Sequence, residues 1–273
     1  MLLQEPPETD YDLRFMLLGF PVRVSWTFWL GAMVFGYNLC LAFPNLYGSP
    51  VTTQGSALGI GPLLIVWTLC LFLSILIHEL GHALAFRYYG LHSSLVLYHF
   101  GGLAIPTGGY TPGKSISRIG DREQLVISLA GPALQIIAAV VVILVVKLGG
   151  YEVEIFKEMP SYLKQLPWVT EGEQIPSQGL YALVSFFVYP SIVWALLNLV
   201  PVWPLDGGRI ARSIVVMTGG TVAQSLWISI ICAGAIALYC LQVKQPFMAV
   251  FFGMFAFMSF QMLNPMGGRG GYR

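Results

Sequence analysis

The chain has 273 residues, of which 56% are hydrophobic and 10% charged, with a net charge of +1 and a mean hydropathy of +0.72. Soluble domains carry about 25% charged residues, so this composition excludes an ordinary soluble domain and predicts a polytopic membrane protein. The near-neutral charge excludes the broad basic field that nucleic acid binding requires.

The first residues, MLLQEPPETDYDLRF, are acidic and proline-rich and lack the basic start and apolar core of a signal peptide. The first apolar span is therefore expected to stay in the mature protein. Apolar runs predict about six membrane helices, over 24–43, 58–88, 125–146, 180–200, 210–241 and 246–262. The fifth run is expected to break near Thr218–Thr221, its opening part forming a short helix folded into the bundle. Cys40, Cys70, Cys232 and Cys240 sit in apolar stretches without metal-type spacing and read as small buried hydrophobes. If the 87–124 loop is cytosolic, ten Lys and Arg fall on the cytosolic side and four on the other, which is the positive-inside pattern. Both termini are then cytosolic, residues 1–23 form a cytosolic tail, and 148–178 an extracytosolic loop carrying five glutamates from Glu152 to Glu173. With no repeat or low-complexity tract, residues 1–273 read as a single membrane domain.

Within the second run, His78-Glu79-Leu80-Gly81-His82 matches H-E-x-x-H. Helical residues four apart share a face, so His78 and His82 can reach one zinc ion. Glu79 beside them can take a proton from a water that the metal has activated. With four His and nine Glu in the chain, chance predicts on the order of 0.002 such matches. The plainer alternative is a pair of core histidines with a buried glutamate partner, but ionisable groups inside a membrane are costly and usually functional. His92 and His99 follow the motif and read as ordinary polar residues. A catalytic zinc has three protein ligands and an open position. Of the four aspartates, Asp10 and Asp12 lie in the tail, and Asp121 opens the third span, where it reads as a cap. Asp206 lies in NLVPVWPLDGGRI, where Pro201 and Pro204 break the helix and Gly207–Gly208 allow a sharp turn. From the residues alone, a third ligand and a plain Asp-Gly turn both remain open there.

These motifs together resemble the site-2 protease family of intramembrane zinc metalloproteases. His78-Glu79-x-x-His82 and Asn198-x-x-Pro201-x-x-x-x-Asp206-Gly207 carry the resemblance. RFMLLGFPVRVSWTFWL at Arg14–Leu30, LYHFGGLA at Leu97–Ala104 and LAGPALQ at Leu129–Gln135 are similar to further segments of the family. One departure is Gln135, where the family usually has Asn; it keeps the amide and adds a methylene. Without an inserted PDZ or a C-terminal CBS domain, the chain resembles the compact six-span branch. The resemblance implies an all-α polytopic fold with a small membrane-associated β element after the zinc-binding helix. It implies one Zn2+ per chain on His78, His82 and Asp206, with Glu79 as the catalytic base. Asn198 is implied to position the substrate, and the strand around Phe100–Leu103, with Gly101 and Gly102, to pair with an unwound substrate segment.

The implied substrate is a single-span membrane protein, cut inside the lipid bilayer for regulated proteolysis or remnant clearance. The lack of a signal peptide and of organelle signals fits a prokaryotic inner (plasma) membrane, with an organellar membrane as the alternative. Two rival readings differ in class. A divalent-metal transporter would use the same ligands but would need access from both sides. A non-catalytic relative would bind membrane proteins without cutting them. The sequence names no specific substrate, trigger or oligomeric state.

Overall fold

The computed structural model describes residues 6–47, 59–99, 101–109, 119–153 and 171–263. Phe100, Lys114, Arg118, Glu154 and Glu158 fall outside the described residues, as do 264–273. The order of elements is β1 (Leu13–Leu17), β2 (Phe20–Val24), α1 (Trp26–Tyr47), α2 (Ile60–Tyr88), β3 (Leu91–Tyr98), β4 (Gly101–Gly109) and α3 (Asp121–Leu148). Four helices follow, α4 (Gln178–Asn198), α5 (Asp206–Met217), α6 (Val222–Gln242) and α7 (Pro246–Leu263).

Among the described residues, α2, α3, α4, α6 and α7 are long and apolar enough to cross a membrane, and Trp26–Ala42 adds a shorter apolar stretch. The protein is a multi-pass membrane protein. Leu69, Val141, Val145, Ile231 and Val250 point outward from these helices; lipid is a solvent that such side chains tolerate. The expected break falls at Thr218–Thr221, between α5 and α6. Thr221 caps α6, its hydroxyl accepting from Gln224 N–H at 3.3 Å while Gln224 Oε1 accepts from Thr221 N–H at 2.8 Å. At the start of α3 the cap is Gly120 rather than Asp121, which lies in the first turn. Glu123 reaches back to accept from the Gly120 N–H at 3.0 Å.

Residues read as a plain tail form a hairpin. β1 and β2 pair antiparallel around Leu18 and Gly19, both at positive φ (48° and 83°), the conformation of a two-residue hairpin turn. β2 then pairs in parallel with β3, Val22 opposite Leu95 and Val24 opposite Leu97, and β3 pairs antiparallel with β4. The sheet order is β1-β2-β3-β4. His92 therefore lies on a strand rather than in a loop. Phe20, Val22, Val24, Leu95 and Leu97 are buried from this sheet into the core formed with α1, α2 and α4. Arg87, at the end of α2, holds the hairpin: it donates to Leu18 O at 2.7 Å and lies over the Phe20 ring at 3.6 Å. Arg23 is covered by the first described residues, donating to Pro6 O and to Asp12 Oδ2, each at 2.9 Å.

Helix α2 is the hub, packed against α1, α3, α4 and the sheet. A second apolar cluster, with Val202, Ala233, Phe252 and Phe255 at its centre, joins α6 and α7 to the loop before α5. That loop is pinned by a buried serine pair. Trp203 N–H donates to Ser229 Oγ at 2.8 Å, and Ser229 Oγ meets Ser259 Oγ at 2.8 Å.

Candidate metal centre

The helical period puts His78 and His82 on one face of α2, near its C-terminal end. The chain leaves α4 at Asn198, turns through Pro201 and Pro204, and enters α5 at Asp206. Gly207 and Gly208 make no sharp turn, contrary to the sequence expectation: they lie in the first turn of α5. Their role is close approach. A Cβ on Gly207 would come 2.2 Å from Val200 O, and one on Gly208 2.5 Å from Trp203 N. The glycines let α5 start against its own entry loop, which carries Asp206 inward.

His78 Nε2 and His82 Nε2 stand 3.2 Å apart, and Asp206 Oδ2 is 3.1 Å from the first and 3.2 Å from the second. All three residues are buried. Both histidines use their other nitrogen elsewhere: His78 Nδ1 lies 2.9 Å from Gln135 Oε1 and His82 Nδ1 2.7 Å from the Ile127 carbonyl. Carbonyl oxygens only accept, so each Nδ1 carries the hydrogen and each Nε2 presents a lone pair. Two lone pairs and an anion thus converge in a buried site, an arrangement that a cation relieves. The donor set fits zinc. Ligands about 2.0–2.1 Å from one tetrahedral zinc stand about 3.3 Å from each other, close to the separations found. Three protein ligands beside a cavity is the pattern of a catalytic rather than a structural site.

The cavity beside these three residues has a volume of about 350 Å³ and is lined by Glu79, Gly102, Asn198 and Arg209 as well as by His78, His82 and Asp206. Glu79 is buried against β4, so closely that a Cβ on Gly102 would lie 2.3 Å from Glu79 Cγ. Asn198 Nδ2 donates to Trp194 O at 3.1 Å, which orients its amide along the wall. Gly101, at φ 127°, lies under Trp194 and lines a second, apolar cavity of about 280 Å³. Tyr98, Trp194, Leu197 and Phe251 line both cavities. Every site residue expected from the sequence therefore lines one of two adjoining spaces. His92 and His99 are outside the ligand group. Cys40 and Cys70 are buried and Cys232 and Cys240 half-buried; all four are free thiols.

Sequence reasoning missed the support from α3. Ile127, Gly131 and Gln135 recur every four residues along one face of α3, opposite His82 and His78 on α2. A Cβ on Gly131 would lie 2.3 Å from His82 Nε2, and one on Gly81 2.3 Å from Ala130 O. Small residues on both helices bring the backbones close enough for the Ile127 carbonyl to reach a histidine ring. The fourfold spacing on α3 was the available signal. Arg209 was also missed; its guanidinium lies 5.8 Å from the Trp203 ring centre.

The family model for Peptidase family M50 matches residues 66–241. A Synechocystis protein whose name marks it as a candidate zinc metalloprotease is 29% identical over 204 residues, spanning 73% of this chain and 42% of that protein. A zinc metalloprotease of Methanocaldococcus jannaschii is 25% identical over 211 residues, spanning 75% of this chain and 46% of that protein. The chain thus spans less than half the length of these curated relatives. A solved site-2 protease from Methanocaldococcus jannaschii overlays 96% of this chain and 100% of its own, at 20% identity and a TM-score of 0.49.

Proposed function

The chain belongs to peptidase family M50, and from that membership we propose that it is a zinc endopeptidase that cuts the transmembrane segments of single-span proteins within the bilayer. One observation carries this reading: two Nε2 lone pairs and the Asp206 carboxylate converge at 3.1–3.2 Å in a buried site, with Glu79 on the wall of the adjoining cavity. A zinc ion bound there would lower the pKa of its water toward 7 and polarise the scissile carbonyl. His78, His82 and Asp206 would hold the ion. Glu79 would accept the proton of the attacking water and pass it to the leaving amine.

The surroundings support a transmembrane substrate. A helix hides its peptide groups in its own hydrogen bonds, so it must unwind before attack. Among the described residues β4 is the sheet edge beside Glu79, and an edge strand can supply replacement hydrogen bonds. Gly101 and Gly102 allow the backbones to approach. Asn198 is placed to orient the opened segment, and the apolar cavity flanked by Trp194 suits one of its hydrophobic side chains. The proposed setting is a prokaryotic plasma membrane, with N- and C-termini cytosolic and residues 1–273 acting as one unit.

The test uses purified wild type and Glu79→Gln with a panel of single-span reporters. Zinc at one per chain in both, with cleavage only by wild type, is expected. Cleavage retained by Glu79→Gln would remove Glu79 from the mechanism. Wild type that binds no zinc would end the metalloprotease reading.

A further inference from the structure

The amide of Gln135 bridges two helices. Its Oε1 lies 2.9 Å from His78 Nδ1, and its Nε2 donates to Ser74 Oγ at 2.8 Å. Ser74 Oγ in turn meets Ser191 Oγ on α4 at 2.8 Å. Gln135, Ser74 and Ser191 are each fully buried, so these groups must satisfy one another. We propose that Gln135 is a positioning residue that sets which nitrogen of His78 faces the metal, and that Ser74 and Ser191 set Gln135. This rests on the metal-site reading above.

When Ser74 donates its hydroxyl proton to Ser191, its lone pairs face Gln135 and accept from the amide N–H. The amide must then present its oxygen to His78. An oxygen there accepts only, so His78 carries its hydrogen on Nδ1 and leaves Nε2 bare toward Asp206. With the amide reversed, its nitrogen would donate to Nδ1. The ring would then carry its hydrogen on Nε2, pointing at Asp206 and closing the ligand position. His82 needs no such device, because the Ile127 carbonyl cannot reverse. The asymmetry makes His78 the ligand whose state depends on a side chain. It also gives Gln135 a reason for its length: the added methylene lets one amide span His78 on one side and Ser74 on the other. Partners of this kind commonly change metal affinity by about 10–100-fold when removed.

The test reads metal binding and ring state in detergent, without cleavage. Zinc affinity is measured by competition with a chelating dye for wild type, Gln135→Leu, Gln135→Glu and Ser74→Ala. Nitrogen NMR of labelled histidine reports the tautomer of the metal-free proteins. Gln135→Leu is expected to bind zinc roughly 10–100-fold more weakly and to gain the Nε2–H tautomer at His78. Gln135→Glu, whose carboxylate still accepts from Nδ1–H, is expected to match or exceed wild type. Ser74→Ala is expected to fall between, since the amide is then free to reverse. Wild-type affinity and tautomer in Gln135→Leu overturn the proposal. So does a Gln135→Glu variant as weak as Gln135→Leu, which would mark lost packing instead of a lost acceptor. Absence of zinc binding in wild type would fail the metalloprotease reading, and the tautomer spectra would then judge the relay alone.

Discussion

Two glycines allow the proposed proton-transfer part of the site to be tested apart from the proposed metal-binding part, and alanine at each should break one and spare the other. At Gly102 the new Cβ would lie 2.3 Å from Glu79 Cγ and 2.6 Å from its Oε1, against an ordinary contact of 3.4 Å or more. Glu79 or β4 must therefore yield by about 1 Å, a misplacement that costs about 100-fold in rate at a catalytic group. No metal ligand is among the nearest atoms, so zinc content should stay at wild-type level. At Gly131 the new Cβ would lie 2.3 Å from His82 Nε2, the proposed ligand atom itself. Alanine favours a helix interior over glycine by about 1 kcal/mol, so α3 is not weakened and the effect falls on the metal. Both variants are purified as monodisperse protein, assayed for zinc by mass spectrometry, and incubated with a single-span reporter in liposomes. The expected pattern is full zinc with about 100-fold slower cleavage for Gly102→Ala, and lost zinc for Gly131→Ala. Unimpaired cleavage by Gly102→Ala would refute the placement of Glu79 against β4. Wild-type zinc affinity in Gly131→Ala would refute the placement of His82 against α3.

Asp206→Asn keeps the side-chain shape and removes the charge, so zinc affinity should drop more than tenfold by chelator competition, while Glu79→Gln should bind normally. Ser229→Ala leaves the Trp203 N–H and the Ser259 hydroxyl without a buried partner; a cost of about 1–3 kcal/mol should lower the thermal midpoint by several degrees, and an unchanged midpoint would contradict it. Burial works against the Asp12 charge, but hydrogen bonds from Thr9 and Arg23 outweigh it and hold the carboxyl below its ordinary value. A depressed folded-state value means that this contact stabilises the first strands above about pH 4 and loses that effect as pH falls further. Hydrogen-exchange protection over residues 6–24, taken relative to the intrinsic amide rate at each pH, should then fall in acid, and Asp12→Asn should show reduced protection already at neutral pH with little further change in acid.

The sequence exposed those parts of the site whose geometry is local. A separation of four residues on a helix places His78 and His82 together whatever the rest of the chain does. The same holds for the helix ends and the break at Thr218–Thr221, which follow from apolar length and from breakers. Asp206 was ambiguous on its own residues, because its meeting with His78 depends on how α5 packs against its entry loop. The β1–β2 hairpin was not legible: each strand has five residues, and the partner of β2 lies about seventy residues away behind two helices. Gln135 was visible as a departure from a motif and as the last of three residues spaced by four on α3. Its contact with His78 depends on the spacing between α2 and α3, which the glycines at 81 and 131 set and which no single segment reveals.

The parallel pairing of β2 with β3 bears on how the chain is assembled as it is synthesised. Strand β2 is complete by residue 24, yet its neighbour ends at residue 98. Parallel neighbours require a crossover, and here the crossover consists of α1 and α2. Until both helices are made and the chain has returned, β2 presents an open edge to whatever lies nearby, and open edges attract wrong partners. The hairpin therefore closes onto the sheet only after the helix bearing His78 and His82 is in place. Capture of the chain's beginning thus follows completion of the helix that carries both histidines, and a chain truncated before β3 should leave the open-edged intermediate.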